Sequence, residues 1–324
     1  MKLGFFVNDV EGERPEYTTT RLARAAVGRG HDVWYIGAGD FACEPDDAVR
    51  ARACRAPTGT SDKEAFLENL EPERVTVDEL DALWLRSDPA DDVPDRVWAQ
   101  TAGILFGGLA ERRGVRVVNS PAGLSVALSK LYLQHFPAEV RPATLITRSA
   151  DDVREFVADH HGRAVIKPLQ GSGGQGVFIV TPDDEVNLDQ MVEADTRDGY
   201  LIAQEKLPAA SDGDVRLFVL DGEPLQVDGC YAAFRRVPAQ GEARANMSVG
   251  ATVEPAEVDD TMLRIAEAVA PKLAADGMFL AGLDIVGECL LEINVFSPGG
   301  FGSVEELTGV DFNEVVLEAL ERRM

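Results

Sequence analysis

VIKPLQGSGGQGVFIV, residues 165 to 180, is the stretch on which the fold turns. An apolar run carrying Lys167 enters a glycine-dense hexapeptide, and a β-branched apolar run leaves it, so the pattern predicts strand, loop, strand. Gly171, Gly173, Gly174 and Gly176, with Ser172 and Gln175 between them, leave backbone N–H groups unshielded, and Lys167 adds a cation nearby. Such a loop can fold over the phosphate tail of a nucleotide; an ordinary glycine-rich hairpin is the plainer alternative. The hexapeptide matches G-x-G-x-x-G, but a dinucleotide fingerprint must open a helix, and here Val177 to Val180 follow. No Gly-Lys-Ser/Thr ends the loop, which removes a Walker A reading, and neither H-R-D nor D-F-G lies downstream, which removes a protein kinase.

The 324 residues, 45% of them hydrophobic, have length for two or three domains with cores of their own. A net charge of −25 argues against non-specific attraction to nucleic acid or to an anionic membrane. Only six of the 31 basic residues are lysine, and the acid excess suits either a salt-adapted cytoplasm or an arginine-rich coding bias. Cys43, Cys54, Cys230 and Cys289 lack C-x-x-C spacing, and the four histidines are scattered, so neither a zinc site nor a disulfide framework is expected. MKLGFFVNDV is too short an apolar run for a signal peptide and no run approaches the roughly 18 residues of a membrane span, so the expected location is cytoplasmic.

Leu3 to Val7, Thr18 to Gly28 and Asp32 to Ile36 read as strand, helix, strand, the opening of a parallel α/β sheet. Leu83 to Arg86, a helix over 93–109 and Val115 to Val118 continue it, while 41–62 reads as an irregular surface connection. Ser120-Pro121 starts a helix running to Leu133 that carries Lys130. Ala143 to Thr147 reads as a strand, a helix capped near Ser149 or Asp151 follows, and another is expected over 186–192. Tyr200 to Lys206 is a strand whose end, before Leu207-Pro208, suits the edge of a nucleotide cleft. Val215 to Leu220 and Pro224 to Cys230 then form a hairpin about Asp221-Gly222. Residues 237–250 have little apolar content, and a loop that long suggests a lid. Asp259 to Ala274 carries apolar residues at helical spacing.

Leu280 to Val286 and Leu290 to Asn294 are strands joined by Gly287-Glu288-Cys289. A three-residue connection pairs 286 with 290 and so sets Asp284 opposite Glu292, with Asn294 on the same face as Glu292. Two carboxylates and an amide among apolar neighbours call for a cation, and hard oxygen ligands suit magnesium held jointly with nucleotide phosphates. A solvated strand face is the plain alternative.

These pieces together resemble the ATP-grasp superfamily, and within it the bacterial glutathione synthetase family. The shared segments stand in order along nearly the whole chain: RSDPADD (86–92), VNSPAGL (118–124), SKLY (129–132), VIKPLQGSGGQGVF (165–178), AQEKLPA (203–209), DGDVRLFVLDGEPL (212–225), RVPAQGEARAN (236–246) and GLDIVGECLLEINVFSP (282–298). The resemblance implies an α/β protein: an ATP-grasp fold of two α+β subdomains, 121–199 with the glycine loop and 200–324 with the metal hairpin and lid. A Rossmann-like parallel α/β domain, 1–120, precedes it. It implies that Lys130, Lys167 and the loop Gly171-Ser172-Gly173-Gly174-Gln175-Gly176 contact ATP phosphates. Gln204, Glu205, Lys206 and Leu207 would border adenine, Asp214 would lie near the ribose or phosphates, and Asp284, Glu292 and Asn294 would bind magnesium or manganese. Arg216, Arg236, Arg244 and Asn246 match positions that hold the anionic peptide substrate.

The implied reaction is ATP-dependent joining of γ-glutamylcysteine and glycine through an acyl phosphate, with Arg236 and Arg244 at or within the lid, in a homo-oligomer, tetramer or dimer. Phe296, the run Pro298-Gly299-Gly300-Phe301 and the missing arginine at Ala251-Thr252 depart from the best-known members where the acceptor amine would sit. A sister ligase with another acceptor or peptide donor therefore stays open. So does a non-catalytic nucleotide-binding module; a nicotinamide oxidoreductase ranks last.

Overall fold

Leu3, Phe5 and Val7 on one face of β1 (Lys2–Val7) and Phe6 on the other are all buried, so the first strand is covered on both sides. A strand in that position reads as a continuous apolar run. The computed structural model describes residues 1–59, 63–92, 96–170, 176–182, 187–197, 199–238 and 250–324. After β1 come α1 (Thr18–Gly28), β2 (Asp32–Gly37), β3 (Phe41–Cys43), β4 (Val49–Arg55), α2 (Lys63–Glu68), β5 (Glu71–Thr76), β6 (Ala82–Leu85), α3 (Ala102–Arg112) and β7 (Arg116–Val118). The sheet order is β3-β4-β2-β1-β6-β7, with β5 on β4; β2, β1, β6 and β7 run parallel, and β3, β4 and β5 add antiparallel pairings.

Two expectations fail in this region. Residues 41–62 include strands β3 and β4 in place of an irregular connection: in VRARACR the small residues Ala51 and Ala53 face inward and arginines alternate with them, a period of two that composition hides. The helix expected over 93–109 is a 3-10 segment, Val97–Thr101, followed by α3, and 93–95 lie outside the described residues.

The chain then passes through α4 (Pro121–Val126), capped by Ser120, whose hydroxyl accepts from the Gly123 N–H. The long helix to Leu133 does not form. Lys130 begins a separate 3-10 turn, Lys130–His135, because its N–H is bonded to the Leu169 carbonyl at 3.1 Å, a tertiary contact that overrides helical continuation. An antiparallel sheet in the order β10-β9-β11-β8 follows, from β8 (Thr144–Thr147), β9 (Ala164–Pro168), β10 (Phe178–Val180) and β11 (Leu201–Glu205). Helices α5 (Ala150–Asp159) and α6 (Leu188–Thr196) pack on it through Val153, Val157, Leu188 and Val192. The second helix thus begins later than 186 and runs past 192; residues 183–186 lie outside the described ones.

The last sheet comprises β12 (Asp214–Leu220), β13 (Glu223–Pro224), β16 (Ala233–Val237), β17 (Thr252–Pro255), β18 (Leu280–Val286) and β19 (Cys289–Asn294), ordered β17-β16-β12-β18-β19 with β13 on β12. The strand expected over 224–230 is broken: β14 (Gln226–Val227) turns back on β15 (Cys230–Tyr231). Helix α7 (Asp260–Ala275), capped by Asp259, covers the sheet with Met262, Ile265, Val269 and Leu273.

In the closing hairpin Val286 pairs with Cys289, not with residue 290, and a β-bulge at Leu291 supplies the extra residue. Asp284 still stands opposite Glu292, because the shorter turn and the bulge cancel. Helices α8 (Phe301–Thr308) and α9 (Asn313–Arg322) then return to the first domain, where Phe301, Phe312, Leu317 and Leu320 join Leu22, Ala23 and Ala26 of α1 in one core.

Candidate active site

Asn119 fixes how the first sheet meets the last. Only 2% exposed, it donates from Nδ2 to the carbonyls of Leu280 (2.9 Å) and Val295 (2.5 Å). Its Oδ1 accepts from the N–H groups of Phe279 (2.8 Å) and Leu280 (3.0 Å). Arg86, at the end of β6, reaches Thr19 Oγ1 and the Pro298 carbonyl, so the loop after β19 is tied to the first domain as well. Between these joints lies a cavity of about 130 Å³ whose walls include Lys130, Lys167 and Gln204 on one side, Glu292 and Asn294 opposite, and Asp88 and Phe296 at the first domain.

Strand alternation explains the first wall. Ile202 pairs with Lys167 across β11 and β9, and Gln204 follows Ile202 by two, so their side chains share a face. Lys167 Nζ donates to Gln204 Oε1 at 3.0 Å, and Gln204 Nε2 donates to Thr144 Oγ1 at 3.1 Å. Burial pushes the Lys167 ammonium down to about 8; Glu292 opposes that shift and Lys130 adds to it. Lys130 Nζ stands 3.9 Å from Glu292 Oε1, across the cavity from its own 3-10 turn.

Behind Glu292 and Asn294 the charges are paired already. Arg216, whose partner across β12 and β18 is Asp284, donates from Nε and Nη2 to the two carboxylate oxygens of Asp284, 2.7 Å each. Arg236 sits on β16 opposite Asp214 and donates to both of its oxygens, at 2.6 and 2.9 Å, while Nη2 also stands 2.7 Å from Asp284. Burial alone would raise the Asp284 carboxyl, but the two guanidinium groups hold it down at about 2.

The cation that the hairpin carboxylates require is therefore in part arginine. Reasoning from the hairpin alone missed it because the neutralising groups lie on the strands to the other side. Arg236 belongs to a strand and is 7% exposed; of the two places expected for it, at the lid or within it, it takes the first, directly before residue 237.

For magnesium, the donor set is fitting but smaller than expected. Asn294 gives its Nδ2 to Asp284 Oδ2 at 3.0 Å, which turns Oδ1 the other way, and Glu292 presents a half-exposed carboxylate beside it. Among the described residues no three His, Cys, Asp or Glu side chains converge to hold a metal. Two protein oxygens suffice for an ion that takes its remaining ligands from phosphates and water.

Of the other expected site residues, Glu205, Lys206 and Leu207 stand where β11 ends, outside the cavity walls, with the Glu205 N–H bonded to the Ala143 carbonyl. Gly176 is described, with φ +67°, whereas Gly171 to Gln175, Arg244, Asn246 and most of the 237–250 lid lie outside the described residues.

The sequence reading gave no role to Asp88, Thr144 or Asn119. A signal existed for Asp88: it lies just beyond β6 and Asn8 just beyond β1, and the carboxyl ends of adjacent parallel strands are where open α/β sheets bind ligands.

Family comparison gives this geometry its place. Residues 1–125 match the model of the prokaryotic glutathione synthetase N-terminal domain, and residues 129–309 that of the prokaryotic glutathione synthetase ATP-grasp domain. The chain belongs to the prokaryotic glutathione synthetase family. It is 34% identical to the glutathione synthetase of Gloeobacter violaceus over 330 residues, covering 99% of this chain and 96% of that one. With the Synechocystis enzyme of the same name it shares 33% over 333 residues and the full length of both. With that of Vibrio cholerae it shares 35% over 298 residues, 91% of this chain and 89% of the relative.

Among solved structures, a D-cycloserine synthetase, DcsG, superposes with a TM-score of 0.70 at 17% identity over 99% of both chains, and the ATP-grasp ligase PsnB with 0.63 at 19%. At such identities these two show the fold alone. Family membership makes the chain an ATP-dependent ligase acting on small molecules. Among the described residues no helix is long and apolar enough to cross a membrane.

Proposed function

We propose that the protein joins γ-glutamylcysteine to glycine at the expense of ATP, in the cytoplasm. The observation that carries this reading is the cavity itself. Lys130 and Lys167 from the glycine-loop side face Glu292 and Asn294 of the closing hairpin, within a chain alike to glutathione synthetases from end to end.

A carboxylate is a poor electrophile, so it first attacks the γ-phosphoryl group, and the acyl phosphate formed is then open to an amine, with phosphate leaving. Phosphoryl transfer of this kind is catalysed mainly by position and charge. Lys167, held by Gln204, and Lys130, held near Glu292, set two cations against the phosphates. Gln204 through Leu207 border the adenine. Glu292 and Asn294 would hold Mg2+, or Mn2+ in its stead, which would neutralise phosphate charge.

Asp284 and Asp214 act a step further back, holding Arg216 and Arg236 in place toward the peptide acid, with Arg244 and Asn246 as further binding residues on family grounds and the ribose near Asp214. Because water destroys an acyl phosphate, the proposed reaction requires that its intermediate be kept from solvent.

Phe296, expected to depart from the best-known members beside the acceptor amine, lines the cavity. This observation favours as second reading a sister ligase with a different amine. ADP release measured with γ-glutamylcysteine, with and without glycine, decides between them: glycine-dependent ADP formation supports the first, and ADP appearing only with another acceptor refutes it. A tetramer or dimer is proposed on family grounds, and Val97, Trp98 and Leu105, at 58, 60 and 62% exposure, offer it apolar surface; sedimentation as a monomer would refute it.

A further inference from the structure

The cavity contains a carboxylate that the reaction as described leaves unused. Asp88 lies three residues beyond β6, and its main chain is clamped by one side chain: its N–H donates to Asn8 Oδ1 and its carbonyl accepts from Asn8 Nδ2, both at 2.7 Å. The same Asn8 Nδ2 donates to Asp92 Oδ2 at 2.8 Å, so the turn is braced on two sides. The Asp88 side chain is oriented in its turn, Oδ1 accepting from the Ala90 N–H at 2.9 Å. A part-buried acid at a strand end often serves only to cap a turn, but a cap has no need to form the wall of a reaction cavity, and Asp88 does. Burial raises its carboxyl, the charge of Glu292 raises it further, and Lys130 lowers it, so it lies within electrostatic reach of the two groups that mark the phosphates.

A negative group in that position repels an arriving triphosphate and a substrate carboxylate. Its retention is favourable only if something cationic comes between. Lys130 is already 3.9 Å from Glu292, and the metal has its donors in Glu292 and Asn294. The cation still to be placed is an amine, because both substrates of the proposed reaction carry a primary ammonium.

We infer that Asp88, clamped by Asn8, is the seat of a substrate ammonium group in the ligation cavity. The inference rests on the function proposed above. Two sources share this chemistry. One is the amino group of the γ-glutamyl donor; the other is the acceptor amine, which must come to the acyl phosphate beside Lys130 and Lys167.

The test is Asp88→Asn in the full chain, which keeps an oxygen for the Ala90 N–H and removes only the charge. The KM for γ-glutamylcysteine and for glycine, the Kd for ATP and the Mg2+ requirement are measured, with Asp88→Glu as the charge-restoring partner. The expected result is a tenfold or greater rise in the KM of one ammonium-bearing substrate, ATP affinity and Mg2+ requirement within twofold of wild type, and partial recovery in Asp88→Glu. A rise confined to glycine assigns the acceptor amine. A rise confined to γ-glutamylcysteine, and absent when glutarylcysteine replaces it, assigns the donor amino group.

Unchanged KM values overturn the inference and leave Asp88 a turn residue. A main effect on Mg2+ requirement or ATP affinity also overturns it, in favour of a metal or phosphate role. The parent reading fails separately, in the wild-type chain, if no peptide acid releases ADP with any amine, and that outcome removes both.

Discussion

The ammonium of Lys167 is charged at neutral pH although its surroundings oppose the charge, and within the protein it donates to the amide oxygen of Gln204. A lysine whose folded value is about 8, against about 10.4 when unfolded, costs the fold its full penalty below pH 8. That cost shrinks as the pH rises through the interval, because the folded protein sheds the proton first. Bound phosphates reverse the preference. ATP binding at pH 8.5 should therefore take up a proton, visible by calorimetry in buffers of differing ionisation enthalpy, and affinity should fall as the pH rises past 8.

Lys167→Met should abolish the uptake and weaken ATP binding roughly ten- to a hundredfold, the worth of a hydrogen bond to a charged group. Asp284→Asn should act chiefly on stability, by about 3–5 kcal/mol in urea denaturation, since it leaves two guanidinium groups in the interior short of a carboxylate. At this scale the sequence named the lysines and acids correctly as neighbours but not their pairing. A list of charged residues does not tell which strand lies beside which, and Arg216 and Asp284 are partners only through the register of β12 and β18.

Among the elements, β12 and β16 meet beside Gly213, the residue before β12. Its φ is +90°, and a Cβ there would stand 1.9 Å from the Arg236 carbonyl oxygen. Gly213→Ala should force apart the strands that pair Asp214 with Arg236, lowering the melting temperature and weakening ATP binding together. A fall in melting temperature with ATP affinity kept would show that this pair does not serve the nucleotide. By contrast Asp259→Ala, which removes the cap of α7, should cost about 1 kcal/mol and leave activity alone.

Strongly patterned elements were legible in advance: α1 runs from Thr18 to Gly28 as read, and Ser149, one of the two caps expected, caps α5. The break after α4 was not, because it is imposed by a bond from Lys130 to Leu169, a residue some way along the chain. The hairpin shows a subtler limit, for its turn is one residue shorter than read and the bulge at Leu291 restores the pairing that function needs.

For the molecule as a whole, the charge of −25 is a source of self-repulsion that dissolved salt screens. The melting temperature should rise as potassium chloride is raised from low to molar concentration; a flat or falling response would show that the acid excess is harmless to the fold. The order of sheets was legible from the resemblance and the alternation of elements, whereas the return of α8 and α9 to α1 was not, since amphipathic helices do not announce their partners.

That return governs how the molecule is born. Thr18 Oγ1 accepts from the Phe301 N–H across 283 positions of sequence, and Arg29 is bridged to Glu314 and Glu321 of α9. While a ribosome is still translating the middle of the message, α1 has no cover for its apolar side. Stalled nascent chains ending before Phe301 should be cut by protease within the opening domain and bind chaperones there, and chains extended past Arg322 should resist.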